Sequence, residues 1–397
     1  MSADPPRLIA VHLPPGPPSA AAITRVWDGG DAVLPLNPQL PPQPRDAVLA
    51  ALRPDRLLDD RGWHELPAPS PTAAGVAAVI LTSGSTGAPK AVELTSAALH
   101  ASATASLAWI GATPDDHWLC CLPLHHIAGL QVLLRARLAG SQAAVHPSFD
   151  VSAVAGEAGV TLLSLVPTML GRLLDAGGDV GRFRRILLGG APPAPGLLTR
   201  ARRAGARVVV TYGMTETGGG CVYDGRPLDG VQVAVGRDGR IRLRGPVLFR
   251  GYRGDPAASK EALRGGWLRT ADIGRLTARG ELQVLGRADD VIITGGENIR
   301  ADEVAAALAE HPAIDEAAVV GRPDPEWGHR VVAFVVLSSP APTLDDVRAF
   351  VRARLSGAHA PRELVVVDRL PRLASGKVDR LALRQLPPPP PPRQGPT

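Results

Sequence analysis

Cysteine is scarce in this 397-residue chain: there are three, two of them adjacent at Cys120 and Cys121, an odd set whose spacing suits neither a disulfide framework nor a zinc site. A reducing compartment fits that usage, and the expected location is the cytoplasm. Long apolar runs are also missing. The longest, such as 331–337, fall far short of the roughly 20 residues that span a bilayer. The opening MSADPPRLIAVHLPPGPPSA is broken by prolines and lacks a charged segment followed by an apolar one. Neither a cleaved leader nor stable membrane insertion is expected. Charge of one sign never accumulates: 43 basic residues against 38 acidic leave +5, spread along the chain, so nucleic acid is not an expected partner. No internal repeat is found.

What the sequence does contain is alternation. From residue 77 to 211 the apolar runs AAVIL, WLCCLPL, QAAVH, VTLLSLV, RRILLGG and ARVVV take turns with helical patterns such as TSAALHASATASLAWI and IAGLQVLLRARL. Repeated strand–helix units with near-continuous apolar strands predict an α/β architecture, a parallel sheet covered on both faces. Residues 231–249, VQVAVGRDGRIRLRGPVLF, read as a hairpin closed by Asp238-Gly239 and predict a small β-rich subdomain. A boundary falls near residue 287. Beyond it helix 302–310, strands 316–320 and 330–337, helix 344–355 and strand 364–367 predict a compact α+β unit, and Thr343 to Asp346 form a capping-box-like helix start. The division is thus 1–287, 288–386 and a disordered proline-rich tail at 387–397.

The stretch LTSGSTGAPKAVELTS, residues 81–96, packs hydroxyls and glycines ahead of a lysine. Glycine lets backbone N–H groups approach an anion, and hydroxyls donate further hydrogen bonds, so the stretch reads as a phosphate cradle. It is not a Walker loop, because the glycine beside the lysine and the hydroxyl after it are both absent.

Further stretches follow in order: LPLHHIAG (122–129), ILLGGAPP (186–193), YGMTETGGG (212–220), GWLRTADIG (266–274), GRADDVIITGGENIRADEV (286–304) and PRLASGKVDR (371–380). With these motifs, residues 77 to 385 resemble the acyl-adenylate-forming (AMP-binding) superfamily. LLSLVPTMLGRLL, PLHHIAGLQVLLRARLAG and YGMTETGGGCVYDGRPLDG look closest to the short o-succinylbenzoate-CoA ligases of menaquinone synthesis.

The resemblance implies an enzyme with ATP, Mg2+ and coenzyme A as cofactors and co-substrate, and an aryl carboxylic acid as substrate. A carboxylate must first be converted to an acyl-AMP before a thiol can attack it. Pre-placed donors and cations meet the charge that gathers around phosphorus. Thr82, Ser83, Gly84, Ser85, Thr86, Gly87 and Lys90 are then expected around the β- and γ-phosphates, Glu216 on Mg2+, Thr215 on the α-phosphate, and Tyr212 with Gly189, Gly190 and Ala191 along adenine. Asp272 and Arg287 are expected on the ribose, and Lys377 between the acid and the α-phosphate. Asp289 is the implied hinge for closure of the smaller domain, and Gly295, Gly296 and Glu297 the thiol entry.

For the acid itself His126, Arg135, Ser164, Gly218 and Gly219 are the candidates, a second substrate carboxylate needing a cation or donors. The neighbouring His125-His126 pair lacks Cys or carboxylate at ligand spacing and does not read as a zinc site. The alternative functions are another aryl- or acyl-CoA ligase, or a free-standing adenylation enzyme that loads a carrier protein. Only about 80 residues precede the phosphate loop, fewer than the family usually has, and they are proline-rich and poorly patterned. The sheet usually found there, and any homodimer surface on it, are therefore not expected with the same force as the rest.

Overall fold

The apolar runs of the sequence become strands buried on both faces. The computed structural model describes residues 5–82, 90–193, 196–294, 297–338, 341–372 and 378–387, apart from the side chains of Asp289 and Asn298. Two compact units result: Met1–Pro192 with Leu197–Thr270 and Gly274–Gln283, and Pro193–Gly196 with Ala271–Ile273 and Val284–Thr397.

In the first unit five parallel strands, His117–Cys120, Gln142–Val145, Leu162–Leu165, Arg185–Leu188 and Val208–Met214, form most of a seven-stranded sheet completed by Gly219–Tyr223 and Arg226–Pro227. Alternate residues go to opposite cores: Trp118, Cys120, Leu162 and Leu187 pack on one face, and Leu119, Cys121, Leu163, Ile186 and Leu188 on the other. That is why these strands read as unbroken apolar runs.

A second seven-stranded sheet is where the structure departs from the sequence reading. Within it Leu8–Val11 pairs in parallel with the central strand Ala32–Pro35 and with Arg56–Asp59. The poorly patterned stretch ahead of the phosphate loop, over residues 5–80, thus contributes strands to a sheet together with helices Pro17–Asp28 and Pro42–Leu52. The prolines that obscured the pattern start both helices, where a missing N–H costs nothing. Nor is this sheet purely parallel. Val76–Thr82 turns back through an antiparallel strand, Lys90–Thr95, before helix Ser96–Ile110 begins on its cap Thr95, whose hydroxyl accepts from Ala98 N at 3.1 Å. The hydroxyl-rich stretch therefore links two antiparallel strands instead of a strand and a helix.

The expected hairpin is present as Gln232–Val235 and Arg240–Arg244, in a small sheet with Trp267–Leu276 and Leu263–Arg264. In the second unit Gly328–Leu337 lies between Ile314–Asp324, Val291–Thr294 and, in parallel, Glu363–Val366. Val331, Ala333 and Val335 pack in the core formed with helices Ala301–Leu308 and Leu344–Arg352, while Val332 and Phe334 pack in the core that includes Leu383 of helix Arg380–Gln385. Thr343 and Asp346 form the capping box, each side chain accepting from the other's backbone N–H.

Candidate active site

Parallel strands of an open α/β sheet bind ligands beyond their carboxyl ends. Val208–Met214 runs directly into the one-turn helix Thr215–Thr217, which sets Tyr212, Thr215 and Glu216 at that edge. The neighbouring strand Arg185–Leu188 delivers Gly189, Gly190 and Ala191 to the same edge. A Cβ on Gly189 would stand 2.4 Å from Thr211 Oγ1, and Gly190 has φ +84°, so both positions require glycine.

Glu216 is half-buried and held twice. Its backbone carbonyl accepts from Phe249 N at 2.8 Å, and its Oε1 accepts from the Tyr252 hydroxyl at 2.8 Å. Burial, then the Glu216 charge, push the Tyr252 pKa up, so the phenol stays a donor. Among the described residues no three His, Cys, Asp or Glu side chains gather to hold a metal. A single carboxylate nevertheless fits Mg2+, which completes its shell with phosphate oxygens and water. Lys90 opens its strand with Nζ 4.8 Å from the Tyr252 ring centroid, and its carbonyl accepts from Thr82 Oγ1 at 3.3 Å. Ser83, Gly84, Ser85, Thr86 and Gly87 lie outside the described residues, as do Gly295, Gly296 and Lys377 and the side chain of Asp289.

Around the candidate acid residues, helix Ile127–Ala139 starts from His126 and is buried nearly all round. Four buried groups on this helix and the sheet strands facing it are polar: Gln131 and Trp118 (both 0% exposed), Arg135 (5%) and Ser164 (6%). Gln131 Oε1, Arg135 Nε, Ser164 Oγ and Trp118 Nε1 have no hydrogen-bond partner among the described residues. Ser164 shares its sheet face with Leu162 and Trp118, the side on which the helix packs. The guanidinium of Arg135 lies 5.6 Å from the Trp118 ring centroid, and no carboxylate among the described residues pairs with it. Gln131 Nε2 donates to the carbonyl of Gly218, which also accepts from Ser102 Oγ at 3.2 Å. Gly219 follows in the same layer, where an added Cβ would meet Gln131 Cγ at 3.3 Å. Burial, reinforced by His126 at 4.4 Å between ring centroids, lowers the His125 pKa to about 4.

Within the second unit Arg287 Nη1 and Asp272 Oδ1 are 3.7 Å apart. The turn Ala288–Asp290 follows, and Asp290 is ion-paired with Arg380, three residues after Lys377 in sequence.

Three residues of the site escaped the sequence reading. Gln131 had a signal, a polar residue one turn before Arg135 in an otherwise apolar helix. Tyr252 had only its place in the short stretch LFRGYRGDP, and Trp118 reads as ordinary core.

Residues 46–253 match the AMP-binding enzyme family and residues 303–377 the AMP-binding enzyme C-terminal domain. A Mycobacterium tuberculosis protein named probable 2-succinylbenzoate–CoA ligase is 41% identical over 392 residues, covering 94% of this chain and 97% of its own. The Bacillus subtilis o-succinylbenzoate CoA synthetase solved with its acyl-adenylate intermediate is 31% identical with a TM-score of 0.87, covering 98% of this chain and 90% of that one. The same synthetase solved with ATP and magnesium is 31% identical at a TM-score of 0.84, covering 95% of this chain and 89% of its own.

Proposed function

Because the chain belongs to the AMP-binding enzyme family, we propose that it is an ATP- and Mg2+-dependent ligase that adenylates o-succinylbenzoate and passes the acyl group to coenzyme A for menaquinone synthesis. The acid carboxylate attacks the α-phosphorus and pyrophosphate leaves. The CoA thiolate then attacks the acyl carbon and AMP leaves. Three buried cysteines with no disulfide among them, at Cys120, Cys121 and Cys221, support a cytoplasmic setting.

Glu216 would hold Mg2+ through its carboxylate, and the ion would offset the charge of the phosphates. Thr215 faces the α-phosphate, and Tyr212 with Gly189, Gly190 and Ala191 receives adenine. Thr82, Lys90 and the hydroxyl-rich stretch between them receive the outer phosphates. Asp272 and Arg287 take the ribose. Lys377 meets the charge shared between acid and α-phosphate. Residues 1–287 act as the nucleotide-binding domain and 288–386 as a lid domain with its hinge at Asp289, Gly295 and Gly296 lining the thiol entry.

The observation that carries the substrate assignment is Arg135, a residue 5% exposed whose Nε is buried without a hydrogen-bond partner and whose guanidinium has no carboxylate partner among the described residues. Charge so placed calls for an anionic ligand, because an unpaired buried ion is costly. A second carboxylate on the substrate meets that need, with Ser164 and His126 beside it and Gly218–Gly219 leaving room for the ring. The test is a panel of carboxylic acids incubated with ATP, Mg2+ and free CoA, reading AMP and thioester. o-Succinylbenzoate is expected to lead the panel, and AMP without thioester would turn the reading toward carrier loading.

A further inference from the structure

Resting on the nucleotide-binding reading above, we propose that Tyr252 is a positioning residue for the magnesium nucleotide: its hydroxyl fixes the Glu216 carboxylate while its ring face seats the Lys90 ammonium group. One side chain thereby sets an acid and a base at a defined separation on the two elements that flank the outer phosphates.

The frame around Tyr252 is rigid for so short a strand. Gly251–Tyr252 pairs antiparallel with Lys90–Thr95, Tyr252 opposite Val92. Lys90 is therefore its diagonal neighbour on the same face, within reach of an aromatic ring. Beside it the buried Glu93 pairs with Arg250 at 2.8 Å and Arg253 at 3.2 Å, gripping the chain before and after Tyr252. Arg253 reaches further, to the carbonyls of Leu52 at 3.2 Å and Ser70 at 2.7 Å. The Tyr252 backbone N–H donates to Ser259 Oγ at 2.8 Å, and its ring meets Phe249 edge-on at 4.9 Å. Phe249 is the residue whose own N–H holds the Glu216 carbonyl. Backbone and side chain of Glu216 are thus tied to the same short segment.

Mg2+ tolerates little departure from octahedral geometry, so a carboxylate left to rotate is a poor ligand. Partners that orient metal ligands are typically worth ten- to a hundredfold in affinity. The ring makes a separate contribution, since a cation over an aromatic face is held electrostatically. Removing the hydroxyl and removing the ring are therefore distinguishable perturbations.

The test is calorimetric binding of a non-hydrolysable ATP analogue with Mg2+ to wild type, Tyr252→Phe and Tyr252→Leu, alongside AMP in EDTA. Tyr252→Phe is expected to bind the magnesium nucleotide about tenfold more weakly or worse, with AMP affinity and melting temperature unchanged. Tyr252→Leu is expected to weaken the metal-free ATP analogue as well, through Lys90, again without loss for AMP. Wild-type affinity in Tyr252→Phe, or an equal loss for AMP, overturns the proposal. Failure of the wild type itself to bind the magnesium nucleotide sinks the function reading instead.

Discussion

Replacing Arg135 by methionine separates an anion-binding residue from a packing residue, because the two make opposite forecasts for stability. Truncating a tightly packed core side chain costs about 2–5 kcal/mol. Methionine keeps most of the volume, and its sulfur retains a favourable contact with the Trp118 ring in place of the guanidinium 5.6 Å away. What it removes is the charge of a residue only 5% exposed, with no carboxylate partner among the described residues. Exchanging unpaired buried charge for apolar volume is neutral or stabilising, so unfolding in urea should show a change between zero and a gain of about 2 kcal/mol.

Catalysis should move the other way. A hydrogen bond to a charged group contributes about 1.5–3 kcal/mol, and a substrate carboxylate left buried without its cation loses about 3–5 kcal/mol. That is roughly tenfold to five-thousandfold in kcat/KM for a dicarboxylic substrate, with the KM for ATP unchanged. The assay is AMP release with o-succinylbenzoate and with an analogue lacking the carboxylate that is not activated. Wild type should prefer the diacid by that factor, and Arg135→Met should lose the preference. Equal losses on both acids, or a destabilisation of about 2 kcal/mol or more, would refute the reasoning.

The other predictions concern charge, protons and space. Lys377→Ala should nearly abolish acid-dependent pyrophosphate exchange while ATP binding persists; wild-type exchange would remove its role. His125, with its folded pKa lowered to about 4, stays neutral while the unfolded chain protonates near pH 6.5. The stability it contributes is therefore present above pH 6.5 and lost as pH falls towards 4, about 2 kcal/mol between pH 7 and pH 5. Urea unfolding at those two pH values should show that slope in wild type and a shallower one in His125→Asn. Gly189→Ala puts a Cβ 2.4 Å from Thr211 Oγ1 and should destabilise by about 1–3 kcal/mol. Adding Thr211→Ala removes the opposing oxygen and should restore much of that loss in thermal unfolding.

Much of this architecture was readable because burial on both faces of a parallel sheet writes an unbroken apolar run into the sequence, as in VTLLSLV. The capping box at Thr343 and the hairpin at Asp238-Gly239 were readable for the same kind of reason, a local geometry that demands particular residues. The first 80 residues resisted because four-residue strands carry too few positions for a period to emerge, and Pro17 and Pro42 look like breaks until their place at helix starts is known. Strand Lys90–Thr95 was hidden within what read as a loop and the start of a helix, its pairing set by the long-range register with Val76–Thr82.

Within the site, legibility follows the kind of job a residue does. Glu216 and Arg135 are named by their own charge. Gln131 and Tyr252 matter only through what they touch, and touching is a property of the fold. Gly218 shows the consequence: its carbonyl is held by Gln131, from the helix that also carries Arg135, while Glu216 two residues earlier is held by Tyr252. Between them Thr217, fully buried, accepts from Met214 N at 2.9 Å and donates to the Gly219 carbonyl at 2.6 Å. A segment tied at so many points cannot shift its carboxylate without disturbing Gly218 and Gly219. The sides assigned to nucleotide and acid thus share one short rigid span of backbone, and a change at Gln131, which unlike Arg135 is bonded to that span, should register in the KM of both substrates.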